Sequence, residues 1–220
     1  MSGDNAVSKG ISMVTTTWNE KENIEELIYG IRSSLKDIPH EIIVVDDSSS
    51  DGALEVAQRF ADLAISKVRE GQTKGLLYGA KLSKYPAIVT IDSDLENNPD
   101  LISLLVEKLS IYDLVVASRV VLPRISERMA ARTLGKIFGL SDFYSNFRAY
   151  KRAAIANFTL KGGETFGGEL LVRAKKKGYR IGEIAYESPP RCSKPRIGGA
   201  FRANFRIMVA LLKCFFLYVF

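Results

Sequence analysis

IVTIDSDLENNPDLI, residues Ile88 to Ile102, begins as an apolar, β-branched run and then places Asp92, Asp94 and Glu96 within five positions. The run Ala87 to Ile91 predicts a buried strand, and Pro99 after Asn98 predicts the capped first turn of a helix. The three acids therefore fall at the mouth between a strand end and a helix. Carboxylates that close repel one another unless a cation sits among them. Asp94 or Asn98 serving only as a helix cap, with the remaining acids in solvent, explains the same stretch. A motif this short leaves both readings open.

The alternation continues outward on both sides. Apolar runs at Ile11 to Thr15, Glu41 to Val45, Leu63 to Ile65, Ala87 to Ile91 and Leu114 to Ala117 predict strands. Helical patterns at Lys21 to Leu35, Gly52 to Phe60, Lys74 to Ser83 and Pro99 to Leu109 separate them. Such a succession predicts an α/β fold with a mainly parallel central sheet flanked by helices. Ligands of these sheets sit at the carboxyl ends of the strands, where Glu20, Asp46, Asp47, Asp92 and Asp94 all fall. One acidic strand end is easily a cap, whereas three on one edge predict a pocket. No GxGxxG follows the first strand, which argues against a dehydrogenase-type dinucleotide fold.

The chain has 220 residues, 46% of them apolar, enough for one sizeable core. His40 is its only histidine, so no Ser/His/Asp or Cys/His nucleophile system can be assembled. Cys192 and Cys214 are its only cysteines and form no CxxC or zinc pattern, which predicts a reducing, cytoplasmic setting. The N-terminal MSGDNAVSKG lacks an apolar core and predicts no secretory signal. Charge is divided unevenly: residues 1–118 carry 11 Lys+Arg against 19 Asp+Glu, and residues 119–220 carry 20 against 6. The second half is suited to anions. Its basic residues are not interleaved with stacking aromatics, so phosphorylated small molecules and an anionic membrane surface fit better than nucleic acid. Part of the excess, such as Lys175 to Lys177, reads as a solvated helix face.

Six blocks taken in order carry a family resemblance: TTTWNEKENIEELI, VVDDSSSDGA, TIDSDLENNPDLI, ASR, SDFYSNFRAYKR and GGELLVRAKKKGYRIGEI. Together they resemble family 2 glycosyltransferases of the GT-A fold, and within them the dolichyl-phosphate mannosyltransferases. The likeness spans Ile11 to Lys194. Thr16, Trp18, Ala53, Glu96 and Asn146 depart from the usual Pro, Tyr, Thr, Gln and Gly, and Arg191 and Lys194 stand closer together than usual.

The resemblance implies inverting, metal-dependent transfer of a hexosyl group, mannosyl from GDP-mannose above all, to dolichyl or another polyprenyl phosphate. It assigns Thr16, Trp18 and Glu20 to the nucleotide pocket, and Val45 and Asp47 to base or ribose. Asp92, Ser93, Asp94 and Glu96 would hold the donor diphosphate and Mg²⁺ or Mn²⁺, with Asp92, Asp94 and Glu96 as metal ligands. Arg119 and an arginine of the segment Arg128 to Arg132 (Arg128 or Arg132) would meet the lipid phosphate, and Arg191 and Lys194 would close over the phosphates. Asp142 would orient Arg148 or the sugar, or be structural, and Glu169 would belong to the site or hold a loop. Singly, Trp18 reads equally as a core aromatic, Glu20 as a first-turn acid and Arg148 as a surface ion-pair partner.

Ile207 to Phe220 is apolar, but as a helix its fourteen residues reach only about 21 Å, short of a ~30 Å hydrocarbon core. With Arg202 and Arg206 ahead of it, residues 201–220 predict a membrane-interface helix appended to a catalytic domain of residues 1–200. A helix packed on the sheet is the alternative. The expected setting is the cytoplasmic face of the plasma membrane or endoplasmic reticulum, with small membrane subunits or a second copy as further partners. Competing functions are a UDP-sugar-dependent polyprenyl-phosphate glucosyltransferase, a haloacid-dehalogenase-like phosphatase and a non-catalytic sugar-nucleotide-binding subunit. The phosphatase places its DxD on an early strand, whereas this one follows the fourth.

Overall fold

Every residue of Ile11–Thr17 (β1) is buried, because the strand sends alternate side chains into two different cores, Met13 into one and Val14 into the other. A run covered on both faces reads as continuously apolar rather than alternating. The computed structural model describes residues 9–156, 158–161, 163–188 and 200–219. After β1 come α1 (Lys21–Ser34), β2 (His40–Asp46), α2 (Ala53–Phe60), β3 (Leu63–Ser66), α3 (Gln72–Leu82), β4 (Ala87–Thr90) and α4 (Ile102–Glu107). The second half holds β5 (Leu114–Arg119) and α5 (Ile125–Ala130), which runs through a π turn at Ala131–Gly135 into α6 (Lys136–Phe138). It continues with β6 (Arg148–Lys151), α7 (Arg152–Ile155), α8 (Gly168–Lys176), β7 (Ile181–Tyr186) and α9 (Ala200–Val219).

Among the described residues the strands form one sheet in the order β3-β2-β1-β4-β6-β5-β7. β1 pairs in parallel with β2 and β4, β2 with β3, and β5 with β7, while β6 runs antiparallel to both of its neighbours. The mainly parallel α/β sheet is thus present, and all five expected strands are in it. β6 and β7 are additions that the apolar runs did not announce. The reversal matters for the site: the loop entering β6 arrives at the same sheet edge where β1, β2, β4 and β5 end.

One core contains Ile24, Leu27, Ile28 and Ile31 of α1, at the spacing of a single helix face. The other contains Leu76, Leu77 and Ala80 of α3 with Leu170 and Leu171 of α8. α3 lies close on β1: a Cβ at Gly75 would stand 2.6 Å from Thr16 Cγ2. α3 begins two residues before the expected Lys74, since the Glu164 carboxylate, far along the chain, accepts from the Thr73 backbone N–H at 3.0 Å. Asn98, not Asp94, caps the turn at Pro99, its side-chain oxygen accepting from Asp100 N at 3.0 Å.

α9 packs one of its faces into the fold. Ala203, Ile207, Ala210, Leu211 and Cys214 are buried on its inner face, the last four within the α8 core. Its outer face is exposed. Among the described residues no helix is long and apolar enough to cross a membrane.

Candidate active site

The acid-rich turn after β4 and the end of β5 meet in a cavity of about 160 Å³. Asp92, Asp94 and Glu96 line it on one side and Arg119 and Arg124 on another, with Gln72, Asn146 and Phe166 also in the wall. Each comes from a carboxyl strand end or from a loop delivered to that edge, so the cavity follows from strand order.

The acids are not equivalent. Gln72 donates its side-chain N–H to Asp92 and accepts from the Asn146 amide at 3.2 Å, tying α3 to the loop before β6. Asp94 Oδ1 accepts from Glu96 N at 3.2 Å, which shapes the turn. Burial, and then the neighbouring Asp94, push the Asp92 carboxyl up to about 7. Among the described residues no three His, Cys, Asp or Glu side chains stand gathered as a ready-made metal site. Asp92, Asp94 and Glu96 therefore share a cavity without forming the three-ligand set expected of them. Two carboxylates burdened by mutual repulsion do suit a hard divalent cation of the Mg²⁺ kind, which takes one or two protein carboxylates and completes its shell with phosphate oxygens and water.

A stability consequence has a definite sign. The folded protein favours neutral Asp92, so its contribution is whole below pH 4 and is lost as pH rises from about 4 to about 7. Asp92→Asn keeps the acceptor for Gln72 and removes that penalty. In EDTA at pH 8 it should stabilise the protein by on the order of 2 kcal/mol, and at pH 4 it should change little. Thermal melts at the two pH values check this.

On the basic side, Arg119 Nε donates to Asp142 Oδ2 at 2.6 Å, and its Nη2 stands 3.5 Å from Glu127 Oε1. Burial disfavours the Arg119 charge, but Asp142 and Glu127 more than offset it and push the guanidinium pKa up. Arg124 Nη1 donates to the same Glu127 oxygen at 2.7 Å, and the Glu127 side chain also accepts from Arg124 N, capping α5. Asp142 thus orients Arg119, not Arg148. Arg148 is wholly buried and donates to the carbonyls of Ser145, Gly167 and Phe143, so it is no surface ion-pair partner. Gly167 is required here: its φ is +74°, and a Cβ would lie 2.5 Å from Asn146 Oδ1. Glu169 holds a loop, accepting from Lys161 N at 2.8 Å and from Arg173.

The other expected residues that the structure describes lie outside the cavity wall. Trp18 is stacked under Arg69, whose guanidinium carbon is 3.4 Å from the ring centroid, and is no core aromatic. Asp47 pairs with Lys67 and accepts from Glu70 N and Gly71 N, both at 3.1 Å, so it organises the loop before α3. Burial works to raise the Asp47 pKa, but Lys67 and those two N–H groups bring it below the usual carboxylate value. Val45 is wholly buried in the α3 core, so its side chain supports the edge rather than facing a ligand. Thr16 and Ser93 are buried and Glu20 half-buried at the same edge. Arg128 and Arg132 are exposed, Arg128 donating to Leu122 O. Arg191, Lys194 and Cys192 lie outside the described residues. Gln72, Arg124, Glu127 and Asn146 were not singled out by sequence as site residues; Gly71 ahead of a helix start and the Arg124/Glu127 spacing were the available signals.

A family model described as glycosyl transferase family 2 matches residues 12–166, which include the acid turn, β5, the loop before β6 and Phe166. The chain belongs to that family. The dolichol-phosphate mannosyltransferase of Pyrococcus furiosus is 34% identical over 117 residues, 50% of this chain and 33% of that protein. The dodecaprenyl-phosphate galacturonate synthase of Rhizobium johnstonii is 28% identical over 97% of this chain and 68% of its own length. The undecaprenyl-phosphate 4-deoxy-4-formamido-L-arabinose transferase of Serratia proteamaculans is 30% identical, over 67% of this chain and 50% of that protein. The chain thus spans between a third and two thirds of the length of these relatives. Glucosyl-3-phosphoglycerate synthase from Mycobacterium tuberculosis superposes with a TM-score of 0.77 at 21% identity, over 94% of this chain and 80% of that one. This likeness confirms the GT-A fold expected from the family.

Proposed function

We propose that the chain transfers a hexosyl group from a nucleoside diphosphate sugar to the phosphate of a polyprenyl lipid. The observation that carries the reading is one cavity with Asp92 and Asp94 on one side and Arg119 and Arg124 on another. The first pair suits a metal-bound diphosphate, and the second suits a phosphate monoester. Mannosyl from GDP-mannose to dolichyl phosphate is the first candidate, supported by the Pyrococcus relative.

The reaction is a single displacement at the anomeric carbon. An acceptor phosphate oxygen bonds to that carbon, the bond to the β-phosphate oxygen breaks, and the nucleoside diphosphate leaves with the electron pair, inverting the centre. No proton need be removed, since a phosphate monoester is already anionic, with a second pKa of about 6. That accounts for chemistry without a catalytic histidine: His40 begins β2 opposite Ile11, at the far edge of the sheet from the cavity. Mg²⁺ or Mn²⁺ held by Asp92 and Asp94 would stabilise the charge growing on the diphosphate. Arg119, held by Asp142 and Glu127, orients the attacking phosphate and screens it from the anionic donor.

The test is a panel of radiolabelled GDP-mannose, UDP-glucose and UDP-galacturonate with a short polyprenyl phosphate and Mg²⁺ or Mn²⁺, scored for lipid-extractable label. Label from GDP-mannose alone supports the first candidate. A uronosyl product is the second reading, favoured by the Rhizobium relative matching nearly the whole chain. Release of free phosphate with no lipid product would replace transfer by hydrolysis. In the productive assay, Arg119→Lys keeps charge but loses the fork to Asp142 and Glu127. It should raise the acceptor KM about tenfold and lower kcat, with donor affinity unchanged, measured as steady-state kinetics against each substrate.

A further inference from the structure

Gln72, Asn146 and Phe166 stand in the cavity wall, yet the displacement derived above uses none of them. All three are uncharged. Asn146 Nδ2 donates to Gln72 Oε1 at 3.2 Å, and Gln72 Nε2 donates to Asp92. An ionised carboxylate only accepts, so Asp92 fixes the direction of both amides. Each amide nitrogen carries a second N–H beyond the one spent in this relay. Asn146 stands where the family pattern has glycine, so the wall of this chain gains an amide there.

Phe166 reaches the same wall by another route. Its φ is +50°, a left-handed conformation that is costly for a bulky residue. Hydrogen bonds hold it there: Phe166 N donates to Glu164 Oε1 at 2.7 Å, and Gly167 N to Thr73 Oγ1 at 3.0 Å. Glu164 also accepts from Thr73 N, so the first turn of α3 fixes both Gln72 and Phe166. Arg206 lies over the Phe166 ring, its guanidinium carbon 5.7 Å from the centroid, and is not itself part of the wall.

We propose that Gln72, Asn146 and Phe166 read the donor's sugar, and that the sugar they accept is an uncharged hexose rather than a uronate. In a single displacement the anomeric carbon lies between the leaving diphosphate and the attacking phosphate. The pyranose therefore sits between the Asp92 and Asp94 side and the Arg119 and Arg124 side, against what remains of the wall. Amide N–H groups pair with its hydroxyls, and an aromatic ring covers its apolar C–H face. Charge decides the second part. Among the described residues of the wall, the carboxyl groups of Asp92, Asp94, Glu96 and Glu127 stand with the guanidinium groups of Arg119 and Arg124 alone. Both guanidiniums are already engaged by Glu127, and Arg119 by Asp142 as well. A divalent metal offsets no more than the donor's own diphosphate. A sugar carboxylate would thus enter without a cation of its own. A hydroxymethyl at the same carbon needs only neutral partners. This inference rests on the transfer reading and narrows it to neutral donors.

Calorimetry on the full chain with Mn²⁺ tests this, using sugar nucleotides matched except at C6. The pairs are GDP-mannose with GDP-mannuronate and UDP-glucose with UDP-glucuronate, with GDP and UDP as sugar-free references. For whichever base binds, the neutral sugar nucleotide should bind about tenfold tighter than its uronate. Gln72→Leu and Asn146→Gly should each lower the ratio of sugar-nucleotide affinity to nucleotide affinity by about fivefold. Asn146→Gly should leave the affinity for the nucleoside diphosphate alone, and the melting temperature, unchanged. A Gln72 that acted only through Asp92 would lower both affinities together and leave the ratio intact. A uronate bound as tightly as its neutral partner overturns the proposal, and so does a ratio untouched in both variants. No binding of any of these nucleotides, with no lipid-extractable label from any donor, sinks the transfer reading and this inference with it. Transfer of a neutral hexose by a parent whose ratio both variants share sinks this inference alone.

Discussion

Asp94→Asn should reduce sugar transfer by about a thousandfold while leaving the melting temperature within a degree or two of the parent. The substitution keeps the shape and keeps an acceptor for Glu96 N, so the turn after β4 survives. It deletes one of two carboxylates that suit a hard cation, and with it most of the differential stabilisation of the leaving diphosphate. The same change removes the charge that helps push the Asp92 carboxyl up. Calorimetry of donor binding with and without Mn²⁺ checks the argument. Metal-dependent donor affinity equal to that of the parent would remove Asp94 from the metal site, whatever the activity.

Arg148→Met should destabilise the fold by about 3 kcal/mol or more, read as a lowered urea midpoint at unchanged m. Methionine replaces much of the volume but none of the donors. The carbonyls of Phe143, Ser145 and Gly167, now satisfied by one guanidinium, would be left without it in a place water does not reach. Arg148→Lys should recover part of the loss, since an ammonium has donors but no fixed fork. Tyr144, Ser145 and Asn146 line the cavity from the loop that Arg148 pins, so activity should fall in any folded fraction of the Met variant.

The strands that bury two apolar faces were legible because nothing in their sequence competes with that reading: IIVV in β2 and AIVT in β4 have no other use. β6 was not legible. RAYK has a charge at each end, and Arg148 reads as a surface or site residue until three distant carbonyls are seen to surround it. In β7, IGEIAY is interrupted by glycine and glutamate, and Gly182 is there because the Tyr112 ring lies where its Cβ would be. At the site, acids stranded at the ends of apolar runs announced themselves, since local pattern gives them no structural reason to be there. Arg124 did not. The i,i+3 spacing to Glu127 was a local signal of a capped helix start, but that this start faces the cavity beside α9 depends on packing that has no local signature. Val45 shows the converse case: a residue in the expected block whose side chain lies in the core.

The insertion of β6 between β4 and β5 has a bearing on how the chain is made. β1, β2, β3 and β4 pair among themselves, so the first half of the sheet can close once Thr90 has been synthesised. β5 comes next, yet its neighbours in the finished sheet are β6 and β7, both of which follow it in the chain. During synthesis its run LVVASR is a strand with both edges bare until Arg148 to Lys151 emerge, and one edge stays bare until Ile181 to Tyr186. An apolar strand kept waiting this way is the segment most open to pairing with a stranger. Aggregation of nascent or refolding chains should therefore begin at β5.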